Sequence, residues 1–126
     1  PSLADVGRSA AASLGVTGFD DALGLGRSRH VVVCLVDGLG WSSLQQHAEL
    51  APTLAALSGT PISAMFPTTT PVGLGSFCTG LSPGEHGLVG ASFLLPETDQ
   101  VLSPLQWGSD PNPIAVQPEP TVFEVL

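Results

Sequence analysis

Met65 to Gly90 reads MFPTTTPVGLGSFCTGLSPGEHGLVG, and the elements on either side take their meaning from it. A short apolar run leads into Phe66-Pro67, three threonines follow, and then comes Pro71 with a set of small residues, Gly73, Gly75, Ser76, Thr79 and Gly80. Proline fits the first turn of a helix because its missing N–H would have no intrahelical partner there. That places Thr70 at the N-cap and predicts a short helix over Val72–Thr79, stopped by Gly80. A helix N-terminus offers N–H groups and partial positive charge, which suit phosphate. A hydroxyl held there is placed to attack phosphorus. An ordinary threonine cap accounts for the same residue, and on this stretch alone both readings stay open.

Working outward, Thr60–Met65 (TPISAM) predicts a short strand. His30–Val36 (HVVVCLV) is continuously apolar and β-branched, as a strand covered on both faces would be. It ends in Asp37-Gly38-Leu39-Gly40, and the carboxyl end of a buried parallel strand is where open α/β sheets place ligands. Trp41–Leu57 carries Leu44, His47, Leu50, Leu54 and Leu57 at helical spacing, with a break at Pro52 and a stop at Ser58-Gly59. Leu3–Leu14 predicts another helix with Leu3, Val6, Ala10 and Leu14 as its apolar members, ended by Gly15. Val16–Ser28 is a loop whose Phe19, Leu23 and Leu25 are expected to pack on the sheet. Downstream, Ser82–Gly87 reads as a loop and Gly90–Leu102 as a hairpin turning near Glu97-Thr98-Asp99. Residues 105–120 are irregular and proline-rich, and Thr121-Val122-Phe123-Glu124 has the form of a capping box. The strand–helix–strand–helix order predicts an α/β fold, a mainly parallel sheet with flanking helices and right-handed connections.

Composition narrows the function classes. The 126 residues are enough for one domain with a core. The chain is 43% hydrophobic and 11% charged, with a net charge of −8 and no lysine; Arg8, Arg27 and Arg29 are its fixed cations. That excludes nucleic-acid binding through a basic surface. It fits solubility, or a site whose positive charge comes from metal ions. No run reaches the ~18 apolar residues of a membrane span, and no basic-then-apolar leader precedes the first helix. Cys34 and Cys78 lie in apolar contexts without a Cys-x-x-Cys spacing. They are expected to be buried free thiols of a reducing, cytoplasmic compartment.

Asp37 reads either as a turn-forming Asp-Gly or as a carboxylate ligand for a divalent ion. Gly38-Leu39-Gly40 falls short of a dinucleotide fingerprint: Ser43 occupies the third glycine position, and Asp37 would put negative charge beside the pyrophosphate. A P-loop would need a lysine, and no Gly-x-Ser-x-Gly elbow is present. His86 in Pro83-Gly84-Glu85-His86-Gly87 reads as a histidine that hydrogen-bonds the backbone to fix its turn, with a ligand or general base as the alternative. His30 and His47 read as structural, and Trp41 and Trp107 as packing groups.

Taken together, Val36-Asp37-Gly38, Phe66-Pro67-Thr68-Thr69-Thr70 and Thr79-Gly80-Leu81-Ser82-Pro83-Gly84-Glu85-His86-Gly87 resemble the alkaline phosphatase superfamily in its type I phosphodiesterase/nucleotide pyrophosphatase branch. The resemblance covers roughly Val31 to Gly90. It implies a partial alkaline-phosphatase-like fold, with residues 1–126 as the amino-terminal portion of one domain truncated at its carboxyl end. It further implies two divalent metal ions, of the zinc type, in the intact parent. Asp37 would be a metal ligand, and Thr70 both a metal ligand and the nucleophile that forms a phospho-enzyme. The substrate would be a small-molecule phosphate ester or nucleotide. Two departures bear on this reading. Gly73 stands where many phosphodiesterase members carry an asparagine, and beyond Gly90 there is no histidine to complete a ligand set. A phosphomonoesterase, sulfatase-type or phosphonate hydrolase of the same superfamily, and a non-catalytic binding module, remain alternatives.

Overall fold

Gly7 lies where the first helix presses on the backbone of another. The computed structural model describes residues 1–57, 59–108 and 111–126; Ser58, expected to help close a helix, lies outside the described residues. Along the chain run α1 (Ala4–Leu14), α2 (Trp41–Gln46), α3 (Pro52–Leu57), α4 (Thr70–Thr79), α5 (Pro83–His86), β1 (Phe93–Leu95), β2 (Gln100–Leu102), α6 (Pro113–Val116) and α7 (Val122–Val125). Single 3-10 turns occur at Ala48–Leu50 and Pro104–Gln106. Two compact units result, Pro1–Val31 with Ser63–Leu126, and Val32–Ile62.

In the first unit α1 forms as expected, and Gly15 ends it in the left-handed region at φ 91°. The buried face differs from the expected one. Ala4, Gly7 and Ala11 face inward, whereas Leu14 is 38% exposed. Small side chains win because they let backbones approach: a Cβ on Gly7 would stand 2.7 Å from the Phe77 carbonyl oxygen of α4. Val122 of α7 closes the same contact and is buried, and Phe123 sets its ring 6.0 Å from that of Phe77. The Thr121–Glu124 capping box forms as expected.

Two buried serines of α1 explain where the Val16–Ser28 loop goes. Ser9 Oγ accepts from Leu23 N at 3.1 Å, and the Ser13 hydroxyl donates to the Gly26 carbonyl. Asp21 accepts from Leu25 N and Gly26 N, and these bonds hold its carboxyl below the usual range. The loop therefore packs on α1, with the Arg8 guanidinium 6.0 Å over Phe19, and not on a sheet as expected. The hairpin forms where expected. β1 and β2 pair antiparallel with Phe93 opposite Leu102, Leu95 and Leu102 are buried, and Asp99 turns the chain at φ 55°.

The expected mainly parallel sheet is not formed by the described residues. Their sheet is the β1–β2 pair, and their parallel pairing is one bridge between Ser2 and Ser63, a remnant of the strand expected over Thr60–Met65. His30–Val36 forms no strand, and Val32 is 91% exposed. A strand exists only through its ladder, and among the described residues no segment pairs with this one. In the second unit the Trp41–Leu57 helix forms in pieces, interrupted at His47 (φ −120°, ψ 33°) as well as before Pro52. None of its described residues is buried, and Leu50 and Leu57 are each 78% exposed. Cys34 is exposed, which corrects its reading as a buried thiol; Cys78 is half-buried, and burial raises its pKa.

Two short helices replace segments read as irregular. Ser82 and Glu85 form a capping box around α5, with Pro83 at its first position. Asn112 Oδ1 accepts from Ile114 N at 3.1 Å and caps α6. Among the described residues no helix is long and apolar enough to cross a membrane.

Gly7→Ala should destabilise the chain although alanine is the better helix former. Overpacking against the Phe77 carbonyl costs about 1–3 kcal/mol, more than the ~1 kcal/mol of propensity regained. Chemical denaturation that shows an unchanged or raised midpoint would refute this contact. Thiol titration of the native chain should label Cys34 before Cys78; equal rates would contradict the burial difference.

Candidate functional site

Helix α4 opens one residue earlier than expected. Thr69 is its N-cap, extended at φ −130° and ψ 153°, and its carbonyl accepts the first helical bond from Gly73 N at 2.9 Å. Thr70 is therefore the first helical residue and Pro71 the second, a one-residue correction to Thr70 as the cap. Proline is tolerated at either place, because N–H groups of the first turn have no carbonyl partner within the helix. The turn before it is tight: Thr69 N donates to Pro67 O at 2.9 Å, and Thr68 Oγ1 donates to Met65 O at 3.1 Å. The Phe66–Pro67 peptide is cis.

Thr70 is half-buried in the positive end of a ten-residue helix whose first turn carries no acidic residue. The neighbouring Thr69 Oγ1 is buried and has no hydrogen-bond partner among the described residues. Sequence reasoning passed over Thr69; its position beside the expected cap was the available signal. Gly73 faces Leu3, where an added Cβ would come within 3.3 Å of Cδ2. Packing against Leu3, just before α1, thus favours a small residue at this position.

Asp37 lies in the other unit, exposed, in a turn closed by Leu39 N and Val36 O, with Gly38 at φ 77°. That conformation needs glycine at the third turn position, so Asp37-Gly38 forms a turn with Asp37 at its exposed second position. The described residues contain no group of three or more His, Cys, Asp or Glu able to hold a metal ion. A zinc site needs about four donors. A two-metal centre is therefore not fitted by the described residues, which offer one carboxylate and one hydroxyl of the set the resemblance implies.

His86 ends α5 and is fully buried. Its Nδ1 accepts from Leu88 N at 3.2 Å, as expected for a histidine that fixes its turn. Its Nε2 lies 3.0 Å from Ser76 Oγ of α4, a partner the sequence reading missed. Because a backbone N–H can only donate, Nδ1 carries the lone pair, and the neutral ring holds its proton on Nε2. Nε2–H then donates to Ser76 Oγ. A histidine in that tautomer cannot take the serine's proton, so Ser76–His86 is not a nucleophile–base pair. Burial holds the His86 pKa below its ordinary value, against the opposing pull of its own backbone and of Glu85. Glu85 is itself held low by hydrogen bonds from the Ser82 hydroxyl and N–H.

No curated protein and no solved structure matches the chain. A family model does, over residues 31–126, which spans the Asp37 turn, the threonine segment and the loop through His86. With most of its length matched, this chain belongs to the type I phosphodiesterase / nucleotide pyrophosphatase family.

Proposed function

We propose that the parent of this chain hydrolyses phosphate esters of small molecules or nucleotides, with Thr70 as nucleophile. Family membership supports a phosphoric ester hydrolase. The observation that carries the assignment to Thr70 is its place in the first turn of α4, directly after the Pro67-Thr68-Thr69 turn. Its Oγ would form the bond to phosphorus as its O–H bond breaks, while the ester oxygen leaves with the P–O electron pair and takes up the proton that Thr70 gives up. Water would then add to phosphorus as its bond to Thr70 Oγ breaks and Oγ regains a proton, releasing phosphate from a monoester or a phosphate monoester from a diester. Amide dipoles of the helix end favour the negative charge that gathers on the phosphoryl oxygens.

On this reading residues 1–126 are the amino-terminal portion of one alkaline-phosphatase-like domain. The parent depends on two divalent ions, zinc being the best match to the resemblance. Asp37 is one ligand, and most of the others come from sequence outside this chain. The isolated 126-residue chain should therefore bind zinc weakly and turn over little.

In the full-length parent, zinc-dependent hydrolysis of a nitrophenyl phosphodiester should fall by about 10³-fold or more in Thr70→Ala, with the fold retained by circular dichroism. Chelation should abolish turnover of the wild type, and zinc should restore it. Full activity in Thr70→Ala would remove the nucleophile assignment. A well-folded parent inert to mono- and diesters with zinc present would leave a non-catalytic binding module. Zinc-dependent turnover by the 126-residue chain, lost in Thr70→Ala, would overturn its reading as an incomplete site.

A further inference from the structure

Ser76 and His86 are both fully buried, and neither takes part in the chemistry proposed above. Their bond joins the third quarter of α4 to the end of α5, ten residues on. The contact is built from both sides. Gly75 leaves room for the imidazole, since a Cβ there would stand 2.6 Å from Cε1 and 2.9 Å from Nδ1. Capped by Ser82, α5 carries the ring back onto α4, and Gly87 at φ 82° turns the chain so that Leu88 N reaches Nδ1. Helix α4 is also held by α1 through Gly7. The helix is thus fixed by two close contacts, and Thr70 is its first residue.

We infer that His86 is a positioning residue: through Ser76 it fixes α4 and with it the Thr70 hydroxyl, and its protonation releases that hold. A second proton must go to Nδ1, where Leu88 N–H already points. Two donors would then face each other in a site closed to water, and the Gly87 turn has to open. The neighbours compensate only in part: the ring's own backbone and the charge of Glu85 favour the protonated form, and burial outweighs both. Glu85, on the same helix, is engaged by Ser82, and Arg8 of α1 acts on Glu85 with positive charge. Helix α4 contributes only the thiol of Cys78 to this titration. The functional meaning of the inference rests on the Thr70 reading; the physical coupling does not.

The sign follows from burial. The folded-state pKa of His86 lies below its ordinary 6.5, so the unfolded chain binds the proton more readily. The stabilisation is complete above about pH 6.5. It falls as pH drops from there towards the folded-state pKa, by up to about tenfold in the folding constant per pH unit.

Heteronuclear NMR of the 126-residue chain tests this directly. Between pH 8 and 4.5 the His86 ring should titrate below 6.5 from the Nε2–H tautomer, and the Thr70 and Val72 amide shifts should move with the same midpoint. In His86→Gln, whose amide supplies a donor to Ser76 without titrating in this range, those amides should stay near their neutral-pH positions throughout. A ring that titrates while residues 70–73 stay still would overturn the inference. So would a Thr70 shift with the same midpoint in His86→Gln. If that variant does not fold, the wild-type titration decides alone. Coupling seen together with a fully active Thr70→Ala parent supports this inference and sinks the nucleophile assignment; the reverse pattern sinks only this inference.

Discussion

The close approach of α4 to its neighbours is the constraint on which the larger unit depends. Two glycines permit it, Gly7 against the Phe77 carbonyl and Gly75 against the His86 ring. Neither glycine is needed for backbone freedom, since both sit in ordinary helix. Each is there because a single methyl group would occupy space already taken. Interiors packed to this density respond to one added carbon, so the helix has little room to rotate or slide. Val72, Ser76 and Thr79 are buried along it as a consequence.

Polar groups inside this packing are matched rather than excluded. Ser76 with His86, Ser9 with Leu23 N and Ser13 with Gly26 each bury a polar atom against a partner. A typical bond of this kind contributes about 0.5–1.5 kcal/mol net, whereas leaving one partner buried alone costs about 1–3 kcal/mol. The second figure decides their role: the bonds specify which loop and which turn lie on which helix. Thr69 Oγ1 stands apart from this pattern, buried without a partner among the described residues next to the proposed nucleophile. Unmatched polar atoms of that kind are concentrated where function competes with packing.

The Val32–Ile62 unit has a different character. Its apolar content is high, yet none of its described residues is buried. Hydrophobic side chains stabilise only by leaving water, and here they remain in it. Asp37 belongs to this unit and Thr70 to the other.

Local chemistry was legible in the residues themselves. Gly15 and Gly80 as helix ends, the hairpin near Asp99, the Thr121 capping box and the turn at Asp37-Gly38 each depend on a few neighbouring atoms, and all appear where expected. The threonine segment and the loop through His86 identified the family for the same reason, because close-range chemistry restricts residue types at fixed spacing. The Ser82–Glu85 box is equally local, resting on a Ser-x-x-Glu spacing around Pro83. Three features depended on contacts distant in sequence. Those are the small-residue face by which α1 packs, the pairing of His86 with Ser76, and the absence of a ladder along His30–Val36. An apolar run can belong to a strand or stand in water, and a glycine can end a helix or admit a ring. Only the segments that come to lie beside them in space decide which.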